Sequence, residues 1–260
     1  MCILFLNQFC FKLILFKFVK NKIMITDIFR EPFLGFSEDA LNFLRKLKNP
    51  VYNNKKWFDK NRDIYEVYVK QPMRSLIDTL SGELRNIDEN IVINHKSIFR
   101  INRDIRFSKD KTPYKFHYAA SFCFGVIKKS DIPQFYFHFS PDEFIFAGGQ
   151  YSNEPVRLKK IRNKIFDDYE NFQDIITKKV FIKEYKKISG ESLTRLPKEF
   201  EFRKKEITDK MLFNLLKMKQ YYVEKTYKPS VIFDTGLVDL IKYHTKLMYE
   251  FVKFLNDSSI

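Results

Sequence analysis

The sequence predicts an α+β domain, an antiparallel β-meander sheet flanked by N-terminal and C-terminal helices. Three observations predict it. Apolar residues recur at helical spacing on both sides of the middle of the chain. The middle changes to a two-residue rhythm: Phe116, Tyr118, Ala120, Phe122 and Phe124 alternate with His117, Ala119, Ser121 and Cys123. The connections between successive strands are short, which implies antiparallel pairing. The chain of 260 residues, 45% hydrophobic and 17% aromatic, has the material for one sizeable core. Its 7 Gly and 9 Pro are too few to suggest disorder.

Residues 1–23 form an apolar and basic leader. They carry Lys12, Lys17, Lys20 and Lys22 and no acid, and Cys2 to Phe11 is nearly unbroken apolar sequence. That run is short for a membrane span, and Lys12 and Lys17 interrupt its continuation. The cations follow the apolar run instead of preceding it, so it reads poorly as a signal peptide. An extension of the gene model, with translation starting at Met24, explains it better than a membrane anchor. The four leader lysines account for part of the net charge of +15, and without them it is +11. Cys123 is then the lone cysteine, which permits no internal disulfide and no cysteine-based zinc site, and a cytoplasmic location is expected. Residues 24–260 read as a single α+β domain with no linker or repeat.

Ser37 is placed to cap a first helix, with Glu38 and Asp39 in its first turn and Phe36 positioned to staple onto Leu41. Asn49-Pro50 ends it. A second helical region starts near Lys55, carries Trp57, Phe58, Ile64, Tyr65, Tyr68 and Val69, and is kinked or divided at Pro72. Met73, Leu76, Ile77, Leu80, Leu84 and Ile87 continue an apolar face. Ser97 to Ile101 is a possible strand ahead of the meander. Gly125 closes the Phe116–Phe124 strand. Gln134–Phe139 alternates again, and after the turn at Ser140-Pro141-Asp142 a third strand covers Glu143–Ala147. Gly148-Gly149 reads as a strand-to-helix turn ahead of a helix with Pro155 in its first turn. Further helix is expected near Phe172–Val180, irregular chain over Gly190–Phe202, a return strand over Met218–Lys225, and a last helix capped by Asp234 and running through Leu255.

The functional signal is concentrated in Arg100–Tyr114, RINRDIRFSKDKTPY. Arg100, Arg103, Arg106 and Lys109 recur every third residue, with Lys111 beside them and Asp104 and Asp110 among them. A helix would line these cations up as a stripe. Pro113, the following strand, and the turn-forming Asn102 and Asp104 favour a structured loop between strands instead. Guanidinium forks there are suited to gripping phosphate or carboxylate, with Asp104 and Asp110 as orienting partners. The bland alternative is a salt-bridge lattice that pins the loop, with Tyr114 as a buried hydroxyl.

The chain resembles the bacterial proteins grouped as domain of unknown function 2461, from about Phe33 to the end of the last helix. The residues that carry the resemblance are Arg100, Arg103-Asp104, Arg106-Phe107, Asp110-Lys111 and Tyr114. Trp57-Phe58 with Arg62 and Tyr65, Phe146-Ala147-Gly148-Gly149, Pro155 with Arg162, and Gly236-Leu237 also match. The resemblance implies relatives and no reaction.

The expected function is binding of a phosphate-bearing or anionic ligand, nucleotide or nucleic acid first, through Arg100, Arg103, Arg106, Lys109, Lys111 and Tyr114. Aromatics beside the cations, such as Phe107, Tyr114 and Tyr136, suit base stacking, although rings this abundant are mostly core. A second reading is an enzyme acting on a small phosphorylated or carboxylated substrate. Its catalytic candidates are Asp104, Asp110, Lys111 and His117, with His138 as another proton shuttle. Cations beside the two acids weaken them as bases. A third reading is a structural or interaction domain. The four histidines (His95, His117, His138 and His244) show no paired ligand spacing, so no metal is expected. No nucleotide-loop or dinucleotide fingerprint appears, so no cofactor is expected either. Membrane partner and oligomeric state are not specified.

Overall fold

The computed structural model describes residues 32–125, 132–152 and 154–259. The leader 1–23 and its proposed boundary lie outside the described residues.

Helix α1 spans Glu38–Lys48 and buries Ala40, Leu41, Phe43, Leu44 and Leu47, the apolar face read from the sequence. Ser37 has the extended backbone of an N-cap, but its side chain makes no capping bond. The next helix, α2 (Lys55–Lys60), is capped by Asn54, whose side chain accepts from the Trp57 amide at 2.9 Å. A short turn at Arg62–Ile64 leads into a π-helical stretch, Tyr65–Lys70, and then α3, Gln71–Arg85. Pro72 explains the change of pitch. A proline offers no N–H, and its ring collides with the carbonyl four residues back in a regular α-helix. The chain widens instead, and the Gln71 amide donates to the Glu66 carbonyl five residues back.

The sheet is a five-stranded antiparallel meander in the order β1 (Ile91–Val92), β2 (Tyr118–Phe124), β3 (Gln134–Phe139), β4 (Phe144–Gln150), β5 (Tyr221–Tyr227). One face carries Phe122, Phe135, Phe137, Phe139, Phe144 and Phe146, all fully buried in the core. Gly125, with φ of +75°, ends β2 as expected. Ser97–Ile101 is not a strand. His95–Ser97 forms a 3₁₀ turn, and only Ile98 bridges to Ala120. The Asn94 side chain caps that turn, and the cap competes with strand pairing.

Gly148-Gly149 is also corrected: both lie within β4 and pair with β3 and β5. The glycines are needed for close approach. A Cβ at 149 would stand 2.1 Å from the Tyr221 carbonyl oxygen, and Gly149 has φ of +128°.

Beyond the sheet come α4 (Pro155–Asp167), α5 (Tyr169–Thr177), α6 (Lys179–Tyr185), a single helical turn at Lys198–Glu201, and α7 (Lys210–Lys217). The last helix, α8 (Gly236–Ser259), packs across β4 and β3. Its start is fixed by Asp234, whose Oδ1 accepts from the Gly236 amide at 2.7 Å. Among the described residues no helix is long and apolar enough to cross a membrane.

Candidate functional site

Residues 100–114 fold as the loop the turn formers dictate, with a single bridge between Asn102 and Tyr114 closing its base. Inside that base the cations divide into two groups. Arg103 turns into the loop: Nη1 contacts Asp110 Oδ2 and Thr112 Oγ1, and donates to the Thr112 carbonyl at 3.1 Å. Its Nη2 donates to Ser108 Oγ at 3.3 Å. Arg106 grips Asp104 through Nε at 3.0 Å and Nη2 at 2.7 Å. Lys111 Nζ donates to the Ile105 carbonyl at 3.0 Å. Lys109 is exposed at the tip, and Phe107 is almost wholly in solvent.

These contacts set the acids. The Thr112 amide first, then Arg103, holds the Asp110 carboxyl down at about 2. The hydrogen bond from Arg106 lowers Asp104. A carboxylate held in its ionised form by donors is a poor proton acceptor at neutral pH.

Arg100 points elsewhere. With Tyr114 it lines a cleft of about 370 Å³ whose other wall is the helical run from Phe58 to Arg74. Neither Arg103, Arg106, Lys109 nor Lys111 lines it. Arg62, Glu66, Lys70 and Arg74 recur every fourth residue, so one helical face presents all four to the cleft. That spacing was visible in the sequence, but the segment reads first as packing because Tyr65, Val69 and Met73 share the apolar side. Arg62 pairs with Asp59 at 2.6 Å and Lys70 with Glu66 at 2.8 Å. Arg74 and Arg100 make no ion pair or side-chain hydrogen bond among the described residues.

Aromatic packing shapes the floor. Phe58 stacks on Tyr114 with ring centroids 4.1 Å apart and 14° between planes. The Tyr65 and Tyr118 hydroxyls lie 3.3 Å apart, and both residues are buried. Burial raises the Tyr65, Tyr114 and Tyr118 hydroxyls above their ordinary value, so all three stay protonated near neutrality. Phe99 stands at the rim with 37% of its surface exposed.

His117 lies outside the cleft, against His138 across the sheet with ring centroids 5.1 Å apart. Burial lowers both, His138 to about 4. Sequence spacing did not reveal this pair, because pairing of β2 with β3 brings it together. Among the described residues no group of three or more His, Cys, Asp or Glu side chains could hold a metal ion. Arg162 is buried in α4 and donates to the Met218 carbonyl at 2.7 Å, which fastens that helix to the approach to β5.

The chain matches the family model described as conserved hypothetical protein (DUF2461) over residues 39–254. It belongs to that family. The matched span of DUF2461 contains both walls of the cleft and the whole Arg100–Tyr114 loop. No curated protein matches the chain.

Proposed function

We propose that the protein binds a small anionic ligand, phosphate-bearing first, in the cleft between the Phe58–Arg74 helical run and Arg100. The observation that carries the reading is the two guanidiniums, Arg74 and Arg100, that line one concavity and make no ion pair among the described residues. A guanidinium offers a fixed fork of donors, and two of them around one cavity suit an oxyanion. The volume of about 370 Å³ falls in the range of small-molecule sites. Arg103, Arg106 and Lys111 then shape the loop, and Arg100 and Tyr114 are its contribution to the ligand.

Isothermal titration with inorganic phosphate at low ionic strength tests this. Wild type binds, and binding weakens with added salt. The double variant Arg74→Ala/Arg100→Ala does not bind. Equal binding by the two proteins defeats the reading.

A further inference from the structure

The phenol pair on the cleft floor points to a more specific ligand. Tyr65 and Tyr118 both line the cleft, with 7% and 3% of their surface exposed. Their hydroxyls share one hydrogen bond, Tyr65 Oη to Tyr118 Oη at 3.3 Å. Two hydroxyl protons are present and the shared bond uses one. Whichever way it runs, the other proton has no acceptor among the described residues. At 3.3 Å the bond is also longer than the roughly 2.7–2.8 Å usual for O–H···O, so it yields readily to a better acceptor.

The donors and charges constrain that acceptor. Arg74 favours charge on both phenols, and Glu66, which Lys70 pairs, opposes it. Arg62 and Lys70 are already matched by Asp59 and Glu66, which leaves the two charges of Arg74 and Arg100. Guanidiniums donate and do not accept, and the phenol pair has one hydroxyl proton left to give. A ligand group that meets them needs several acceptor oxygens and a charge near −2. A carboxylate brings one charge and two oxygens. A terminal phosphate brings three oxygens and about −1.5 to −2 charge at pH 7. The exposed Phe99 ring at the rim offers a planar body a surface to stack on.

We infer that the cleft takes the terminal phosphate of a phosphomonoester, with Arg74 and Arg100 as its charge partners and the Tyr65–Tyr118 pair as a neutral donor to one phosphoryl oxygen. The inference rests on the anion-binding reading of the same cleft and adds the class of anion and the role of the phenols.

Adenosine 5′-monophosphate and its 3′,5′-cyclic diester share a base and sugar but differ by one phosphate charge, so titrating both isolates the dianion. Inorganic phosphate is the third probe. The monoester binds at least about tenfold tighter than the cyclic diester, and Tyr65→Phe/Tyr118→Phe weakens the monoester by about tenfold, as expected for hydrogen bonds to a charged group. Melting temperature confirms that the double variant folds, and Tyr118→Phe alone serves if it does not. Equal binding of monoester and diester overturns the inference. So does a phenylalanine variant with unchanged affinity, or binding of inorganic phosphate without the ester. In each of those cases loss of phosphate binding in Arg74→Ala/Arg100→Ala leaves the anion-binding reading standing. If no probe binds wild type, both fall.

Discussion

Asn53 and Tyr114, 61 residues apart, are joined by a two-way hydrogen bond: Asn53 Nδ2 donates to the Tyr114 carbonyl at 2.9 Å, and Asn53 Oδ1 accepts from the Tyr114 amide at 3.0 Å. The same Nδ2 donates to the Leu47 carbonyl at 2.7 Å. One buried side chain thus ties the end of α1 to the end of the signature loop and fixes Tyr114 over Phe58. Removing it leaves three backbone groups unpaired in the core. Asn53→Ala should cost about 2–4 kcal/mol of stability, measured by denaturant unfolding. A change under about 0.5 kcal/mol, the scale of ordinary surface substitutions, contradicts this role.

The two arginines inside the loop should separate in their effects. Arg103 bonds to Thr112, Ser108 and Asp110, and only about a quarter of its side chain is exposed. Arg106 is three-quarters exposed and bonds only to Asp104 among the described residues. Loss of Arg103 should lower the melting temperature by about 2–4 °C, and loss of Arg106 by less than about 1 °C. Differential scanning calorimetry on the two alanine variants decides. Equal shifts would mean that the loop is not held by Arg103.

Gly149 tests the reason for the double glycine in β4. Gly149→Ala places a methyl against the Tyr221 carbonyl and forces an unfavourable φ, at a cost of about 3 kcal/mol or more. Gly148→Ala meets the flexible Met248 side chain and should cost less. The reverse order, read from urea unfolding, would contradict the close approach of β4 and β5.

Acid sensitivity should come partly from buried histidines. His244 sits between Tyr185 Oη, 2.7 Å from Nδ1, and Tyr227 Oη, 2.6 Å from Nε2, with Glu184 and Lys225 nearby. Burial holds its folded-state value down at about 4, and His138 likewise. The unfolded chain takes up these protons near pH 6.5, before the folded one does. Their contribution is therefore complete above about pH 6.5 and is lost as pH falls toward 4, by up to about 1.4 kcal/mol per pH unit for each histidine. Unfolding free energies measured from pH 7 to 5 should decline, and a flat profile would contradict the burial of these rings.

Much of the architecture was legible because it rests on periodicity. Phe135, Phe137 and Phe139 alternate, and alternation survives folding as a buried sheet face. Gly148-Gly149 misled because glycine pairs commonly mark turns. Here they admit a neighbouring strand, a tertiary demand that local sequence does not display. The Arg100–Tyr114 stretch was legible as a loop, but the directions of its side chains were not. Arg100 and Arg103 have the same chemistry. The Thr112 carbonyl and Asp110 capture Arg103, while Arg100 is left facing the cleft. Only the fold of the loop distinguishes them. The opposing wall was missed because Arg74 shares a helix whose apolar face explains the segment without it.

On the proposed reading the ligand's anion meets Arg74 and Arg100 and none of the other cations of the loop. Titration of adenosine 5′-monophosphate into wild type, Arg74→Ala/Arg100→Ala and Arg106→Ala/Lys111→Ala tests it most directly. The first pair of substitutions should abolish binding, and the second should leave the Kd within about twofold, as for exposed charges screened by solvent. Binding that survives in Arg74→Ala/Arg100→Ala and disappears in Arg106→Ala/Lys111→Ala would contradict it.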